Sequence, residues 1–264
     1  MAFFVPDGEG FTATPLTRGP WDKGSQHGGP PAALLARAVE AELPPDFRLA
    51  RMTVDILRPV PIGRVVPLVT VRSGRRVARG QAVLEADGVE VMTATAMGQV
   101  IGDLGSEALG PEAAGSEAGG GPTLPPPDEG RDDVPFFDVP WDEGYHAAMA
   151  WRFLSGSFVE LGPSRVWFRQ LVPLVAGEEP SPFQRTLVVA DAGNGVSGVV
   201  DFTRLSFVNP DLTVHLHRDP VGEWIGMEAR TTIHGTGAGL ATTTLHDTAG
   251  PVGTGNQSLF IAPT

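Results

Sequence analysis

The chain of 264 residues contains no cysteine. That excludes disulfides, a thiolate nucleophile and any cysteine-ligated metal, and it suits a reducing compartment, so a cytoplasmic location is expected. No stretch is long and apolar enough to span a bilayer, and no membrane partner is expected. The opening Met1-Ala2-Phe3-Phe4-Val5-Pro6-Asp7 has no basic n-region, so it does not read as a signal peptide. Basic charge is scarce: 19 Lys and Arg stand against 31 Asp and Glu, giving a net charge of −12 and a pI of about 4.9. Such a field disfavours nucleic acid as a partner. Familiar catalytic signatures are missing too. There is no Walker A sequence. Gly235-Thr236-Gly237-Ala238-Gly239 lies between strand-like runs and opens no helix, so it reads as a hairpin rather than a nucleotide loop. Gly195-Val196-Ser197-Gly198 lacks the spacing of a nucleophile elbow. His215 and His217 share one strand face but have no third ligand nearby in sequence, so no metal site is expected.

What is present is one module written twice. Met52-Thr53-Val54-Asp55-Ile56-Leu57-Arg58-Pro59 returns as Leu212-Thr213-Val214-His215-Leu216-His217-Arg218-Asp219-Pro220, at an offset of 160 up to the arginine. Each copy then continues as strand-like sequence with a late turn, at Asp87-Gly88 and at Asp247. Each ends in a glutamine followed by apolar residues, Gln99 and Gln257. Hydrophobic residues make up 41% of the chain, enough for a substantial core.

The spacing predicts a helix over 32–42 behind Gly28-Gly29-Pro30-Pro31, because proline is tolerated where the first helical amides have no partner. Strands are predicted at 48–57, 65–73, 76–86 and 90–100 after a short strand at 11–16. Asp-Gly between two strand patterns signals a hairpin. The second copy predicts strands at 147–154, 157–161 and 165–171, a helix over 183–192, and strands at 201–208, 212–217, 222–234, 239–247 and 253–261. Residues 103–133 are Gly, Ala, Pro and acid, and read as a flexible linker between units at 1–102 and 134–264. The class is α+β: each half has one helix and a long antiparallel run.

Comparing the copies isolates three polar residues. Asp191 ends an apolar helical run, where carboxylates seldom lie without a partner. Asn209 stands at a strand break and Gln257 in the last strand. Projection by 160 finds Pro31 and Leu49 where the second copy has Asp191 and Asn209. One functional site, in the second copy, is therefore expected.

The order and spacing of short motifs resemble the acyl-CoA thioesterase II family of double-hotdog enzymes, within the thioesterase-like superfamily. They are Gly19-Pro20-Trp21-Asp22, Gln26-His27-Gly28-Gly29-Pro30-Pro31, Val54-Asp55-Ile56-Leu57-Arg58-Pro59-Val60-Pro61, Ala190-Asp191, His217-Arg218 and Gln257. The resemblance implies two antiparallel sheets fused into one continuous sheet that wraps two central helices. It also implies hydrolysis of acyl-CoA to free acid and CoA in fatty acid metabolism, with no cofactor, and a homo-oligomer such as a dimer of double hotdogs. The family's water-activating Asp, Thr and Gln fall on Asp191, Asn209 and Gln257; Asn209 departs from the family's Thr, and Thr213 is the fallback. The alternative is a non-catalytic acyl-CoA-binding hotdog protein.

Overall fold

In the computed structural model, residues 1–102, 123–202 and 204–263 are described. The expected linker at 103–133 therefore lies in large part outside the described residues. The first helix, α1 (Gly29–Ala41), begins with Pro30 and Pro31 in its first turn and is buried along nearly its whole length. Its alanines keep it thin enough to lie flat on a sheet. Gly80 on the sheet supports this: a Cβ there would sit 2.9 Å from Val39 Cγ1. The second helix, α2 (Pro182–Ala190), is capped by Ser181, whose hydroxyl accepts from the Gln184 amide; such a cap satisfies one of the orphan donors of a helix start. The single turn α3 (Gly193–Val196) follows.

The described strands of the first half are β1 (Phe4–Asp7), β2 (Gly10–Ala13), β3 (Phe47–Ile56), β4 (Arg64–Ser73), β5 (Val77–Ala86) and β6 (Val89–Val100). Those of the second half are β7 (Met149–Ser155), β8 (Ser164–Gln170), β9 (Leu205–Val208), β10 (Asp211–Leu216), β11 (Trp224–Ile233), β12 (Ala238–Asp247) and β13 (Gly250–Pro263). They form one antiparallel sheet in the order β1-β2-β4-β5-β6-β3-β10-β13-β12-β11-β8-β7, with β9 on β13. The order reads nearly the same from either end: β3 and β10 meet in the middle, flanked by β6 and β13, then β5 and β12, then β4 and β11. Thr53 lies directly opposite Thr213, with their hydroxyls 3.1 Å apart. These two residues are 160 apart, the offset of the repeat, so a local two-fold axis passes between them.

One face of this sheet wraps α1 and α2, which pack on each other, and most of the buried apolar side chains form one cluster there. The fold is a double hotdog. The helices approach closely at one point, where a Cβ on Gly29 would lie 2.4 Å from the Val188 carbonyl oxygen; only glycine fits. The amino-terminal run also crosses between the halves. Phe3 and Phe4 are fully buried, and their amides donate to the Pro173 and Leu174 carbonyls.

Two expectations change. Residues 157–161 form no strand: the Ser157 hydroxyl accepts from the Val159 and Glu160 amides, and Val159 and Leu161 are exposed. Residues 124–132 pack against the sheet. Leu124 is buried, Trp167 donates to the Pro125 carbonyl at 2.8 Å, and Arg131 exchanges two backbone hydrogen bonds with Phe153. No helix among the described residues is long and apolar enough to cross a membrane.

Candidate active site

Asp191 closes α2, and the turn after it carries Asn194 at the start of α3. Asn209 ends the approach to β10, and Gln257 points inward from β13. The fold brings all three expected residues together. Asn209 Nδ2 donates to Asp191 Oδ1 at 2.8 Å. Gln257 Nε2 donates to the Asp191 carbonyl at 3.1 Å and lies 3.4 Å from Oδ1. Asn194, absent from the sequence reading, closes the ring: its amide N–H donates to Gln257 Oε1 at 2.9 Å, and its side chain donates to Asn209 Oδ1 at 3.3 Å. This fixes the Gln257 amide with its NH2 toward Asp191. The fallback Thr213 faces Thr53 on the sheet and takes no part.

The other carboxylate oxygen belongs to a residue of the first half. His27 Nδ1 lies 3.1 Å from Asp191 Oδ2. The ring stacks on Tyr145, with centroids 3.9 Å apart and planes 5° off parallel, and the Tyr145 hydroxyl donates to the Val188 carbonyl. Burial pushes the His27 pKa down, and the Asp191 charge pulls it back only in part. A neutral ring facing an ionised carboxylate must carry its proton on Nδ1. The Gly29 amide, 3.2 Å from the same nitrogen, can be its donor only when that proton is absent. Burial, then the Asp191 charge, raise the Tyr145 pKa well above its ordinary value, which keeps it a phenol. Gly28 is a spatial requirement, since a Cβ there would lie 2.8 Å from Asp191 Oδ2.

These groups border a cavity of about 430 Å³. Asp191, Asn209, His27 and Gly28 line it, Phe136, Phe137 and Phe158 give it an aromatic wall, and Trp21, Leu57 and Arg58 stand at its exposed rim. Gln257 is not among the lining residues and is 1% exposed; it supports Asp191 from behind. Both halves therefore build the site.

The regions matched by family models are residues 17–99, to an acyl-CoA thioesterase N-terminal domain, and residues 122–261, to an acyl-CoA thioesterase C-terminal domain. The chain belongs to the acyl-CoA thioesterase family. It is a thioester hydrolase. Among solved structures, it superposes on a candidate thioesterase II from Thermobifida fusca with a TM-score of 0.74 at 19% identity, covering 98% of this chain and 95% of that one. A hot dog fold protein of unknown function from Alicyclobacillus acidocaldarius gives 0.70 at 19% identity, covering 99% and 96%. An acyl-CoA thioesterase II from Mycobacterium marinum gives 0.66 at 15%, covering 91% and 90%. A comparison with curated protein sequences returns no match.

The thioesterase has a second cavity, of about 530 Å³, at the opposite end of the helix pair. Asp191 ends α2 beside the start of α1; Glu40, near the end of α1, lies beside the start of α2. Ser181 Oγ donates to the Glu40 carboxylate at 2.8 Å and Gln184 Nε2 donates to it at 2.6 Å. Burial raises the Glu40 pKa, against the lowering effect of those bonds. The first half thus does place an acid near the end of its helix. A fixed offset of 160 missed it, because the helices do not share the register of the strands.

Proposed function

We propose that Asp191 is the general base that activates water against the carbonyl of an acyl-CoA thioester. The observation that carries this is the setting of Asp191. Asp191 borders the cavity yet is only 6% exposed, and its carboxylate oxygens are held by Asn209 and His27. Both lower the freedom of the group and aim it, which is what proximity catalysis requires.

In this scheme the acyl group enters among Phe136, Phe137 and Phe158. Water attacks the carbonyl carbon while its proton passes to Asp191, and the carbonyl π electrons move to oxygen. The resulting tetrahedral intermediate collapses, breaking the carbon–sulfur bond. The thiolate of CoA takes the proton from Asp191 and leaves with the free acid as co-product. Asn209 holds Asp191 and faces the cavity, where its amide can orient the water. Gln257 is a positioning residue, acting through Asp191 and Asn194. His27, with its Nδ1 proton on Oδ2, keeps the carboxylate from rotating.

The test is release of thiol from a panel of straight-chain and aryl acyl-CoA thioesters. Wild-type turnover abolished in Asp191→Asn supports the scheme. An Asp191→Asn protein with wild-type turnover overturns the mechanism. A wild type that turns over no thioester while binding acyl-CoA places the chain with non-catalytic binding proteins.

A further inference from the structure

The two halves treat one repeated arginine in opposite ways. Arg58 and Arg218 both close the duplicated frame. Arg218 is locked: both arms of its guanidinium bond the Asp247 carboxylate, with Nη2 to Oδ1 at 2.7 Å, and it also reaches the Gly250 carbonyl. Asp247 has no side-chain exposure and accepts further bonds from the Val221, Ala249 and Gly250 amides. In the first half the frame-equivalent acid, Asp87, sits exposed at a hairpin tip with φ 51°. Arg58 has an exposed side chain with no hydrogen bond or ion pair to any described residue.

Arg58 is also the one Lys or Arg among the described residues lining the 430 Å³ cavity. The carboxylates there are committed: Asp22 Oδ1 accepts from the Gly24 amide and the Ser25 hydroxyl, and Asp191 is held as described. The cavity at the Glu40 end offers no such uncommitted cation among the described residues. Its lining carries Glu40, Glu178, Glu179 and Asp219 against Arg37 and Arg48. Arg37 pairs with Glu178, and Arg48 stands 3.7 Å from Asp219. An uncommitted guanidinium is thus available to an anionic ligand at the Asp191 mouth and not at the other.

Resting on the proposed function, we infer that Arg58 receives a phosphate group of the CoA moiety and so directs substrate to the Asp191 end. A thioester whose sulfur sits at Asp191 must lead its phosphate-bearing nucleotide out past the rim, where Arg58 stands. Guanidinium matches phosphate in geometry and stays charged at any working pH.

The experiment compares one acyl group carried on CoA and on N-acetylcysteamine, which has the thioester but no phosphate. Arg58→Gln is expected to lower kcat/KM for the CoA thioester about tenfold, mainly through KM, as expected for loss of one charge-assisted contact. The preference for CoA over N-acetylcysteamine should fall by the same factor, and Arg58→Lys should recover part of it. Equal losses on both carriers, or none on CoA, overturn the inference. Calorimetric titration with CoA itself is independent of turnover. Weaker CoA binding by Arg58→Gln upholds Arg58 even if no thioester is hydrolysed. Wild type that binds no CoA, or Arg58→Gln that binds it equally, overturns the inference. Dephospho-CoA then names the group: binding insensitive to Arg58→Gln assigns the 3′-phosphate, and sensitive binding assigns the diphosphate.

Discussion

Asp191 is held by partners from three separate stretches of chain, so replacing it tests geometry and chemistry separately. In Asp191→Asn the amide oxygen still accepts from Asn209, and the new NH2 donates to His27 Nδ1 once the ring changes tautomer. Folding should be nearly unchanged, while loss of a general base is expected to cut kcat by roughly 10²–10⁴. Melting temperature and thiol release measured on one preparation check both. Gly28→Ala approaches the same carboxylate from outside, with its Cβ at 2.8 Å from Oδ2 and 3.1 Å from Cγ. It should displace Asp191 and lower kcat with a much smaller effect on melting. A Gly28→Ala enzyme of normal kcat would show that Asp191 tolerates displacement. At this scale the sequence made Asp191, Asn209 and Gln257 legible, because each was a polar residue in an apolar or broken setting. His27 and Asn194 gave no such signal. His27 lies in a motif whose partner is 164 positions away in the other half, and Asn194 acts through a backbone amide in a turn.

The two helices meet at Gly29, whose absent side chain lets its backbone approach the Val188 carbonyl. Gly29→Ala should force the pair apart and cost about 1–3 kcal/mol, the usual penalty of overpacking, or roughly 2–10 °C in Tm for a chain of this size. Thermal unfolding decides it; an unchanged Tm would mean that the helices slide without cost. The Arg218–Asp247 clamp is a second element-scale joint. Burial alone would raise the Asp247 carboxyl, but Arg218 and the Val221 and Ala249 amides outweigh it and hold it below its ordinary value. Removing the guanidinium in Arg218→Gln should cost about 1.5–3 kcal/mol, the range for hydrogen bonds to charged groups. Chemical denaturation reads that loss directly. Strands with clear alternation and turn residues, such as β3, β5, β6 and β12, were legible to within a residue or two. The expected strand at 157–161 was not one, because Ser157 turns the chain and leaves Val159 and Leu161 in solvent while Phe158 is buried. The short β1 was unreadable from pattern, since Phe3 and Phe4 owe their burial to Pro173 and Leu174 in the other half.

Across the whole molecule, His27, His146, His217 and His246 are all held below 6.5, each chiefly by burial. His246 has neither ring nitrogen bonded. Between each folded value and 6.5 the unfolded chain binds more protons than the folded one, so stability is complete above 6.5 and declines as pH falls through that window. Glu40, raised above 4.5, acts in the opposite sense but is a single group. Tm should therefore fall from about pH 7.5 to about pH 5.5, as thermal unfolding at the two values would show. His246→Phe should flatten the profile; a flat wild-type profile would refute this account. The pairing of β3 with β10 has one more consequence, for synthesis on the ribosome. The first half emerges with β3 as an open edge and with α1 lacking its partner helix. Its complement arrives 160 residues later, at Thr213 opposite Thr53. At about 5–20 residues per second the wait is roughly 8–30 s, much longer than the microseconds in which hairpins form. For that interval the nascent chain presents an unpaired strand, the kind of edge that invites pairing with a neighbouring chain.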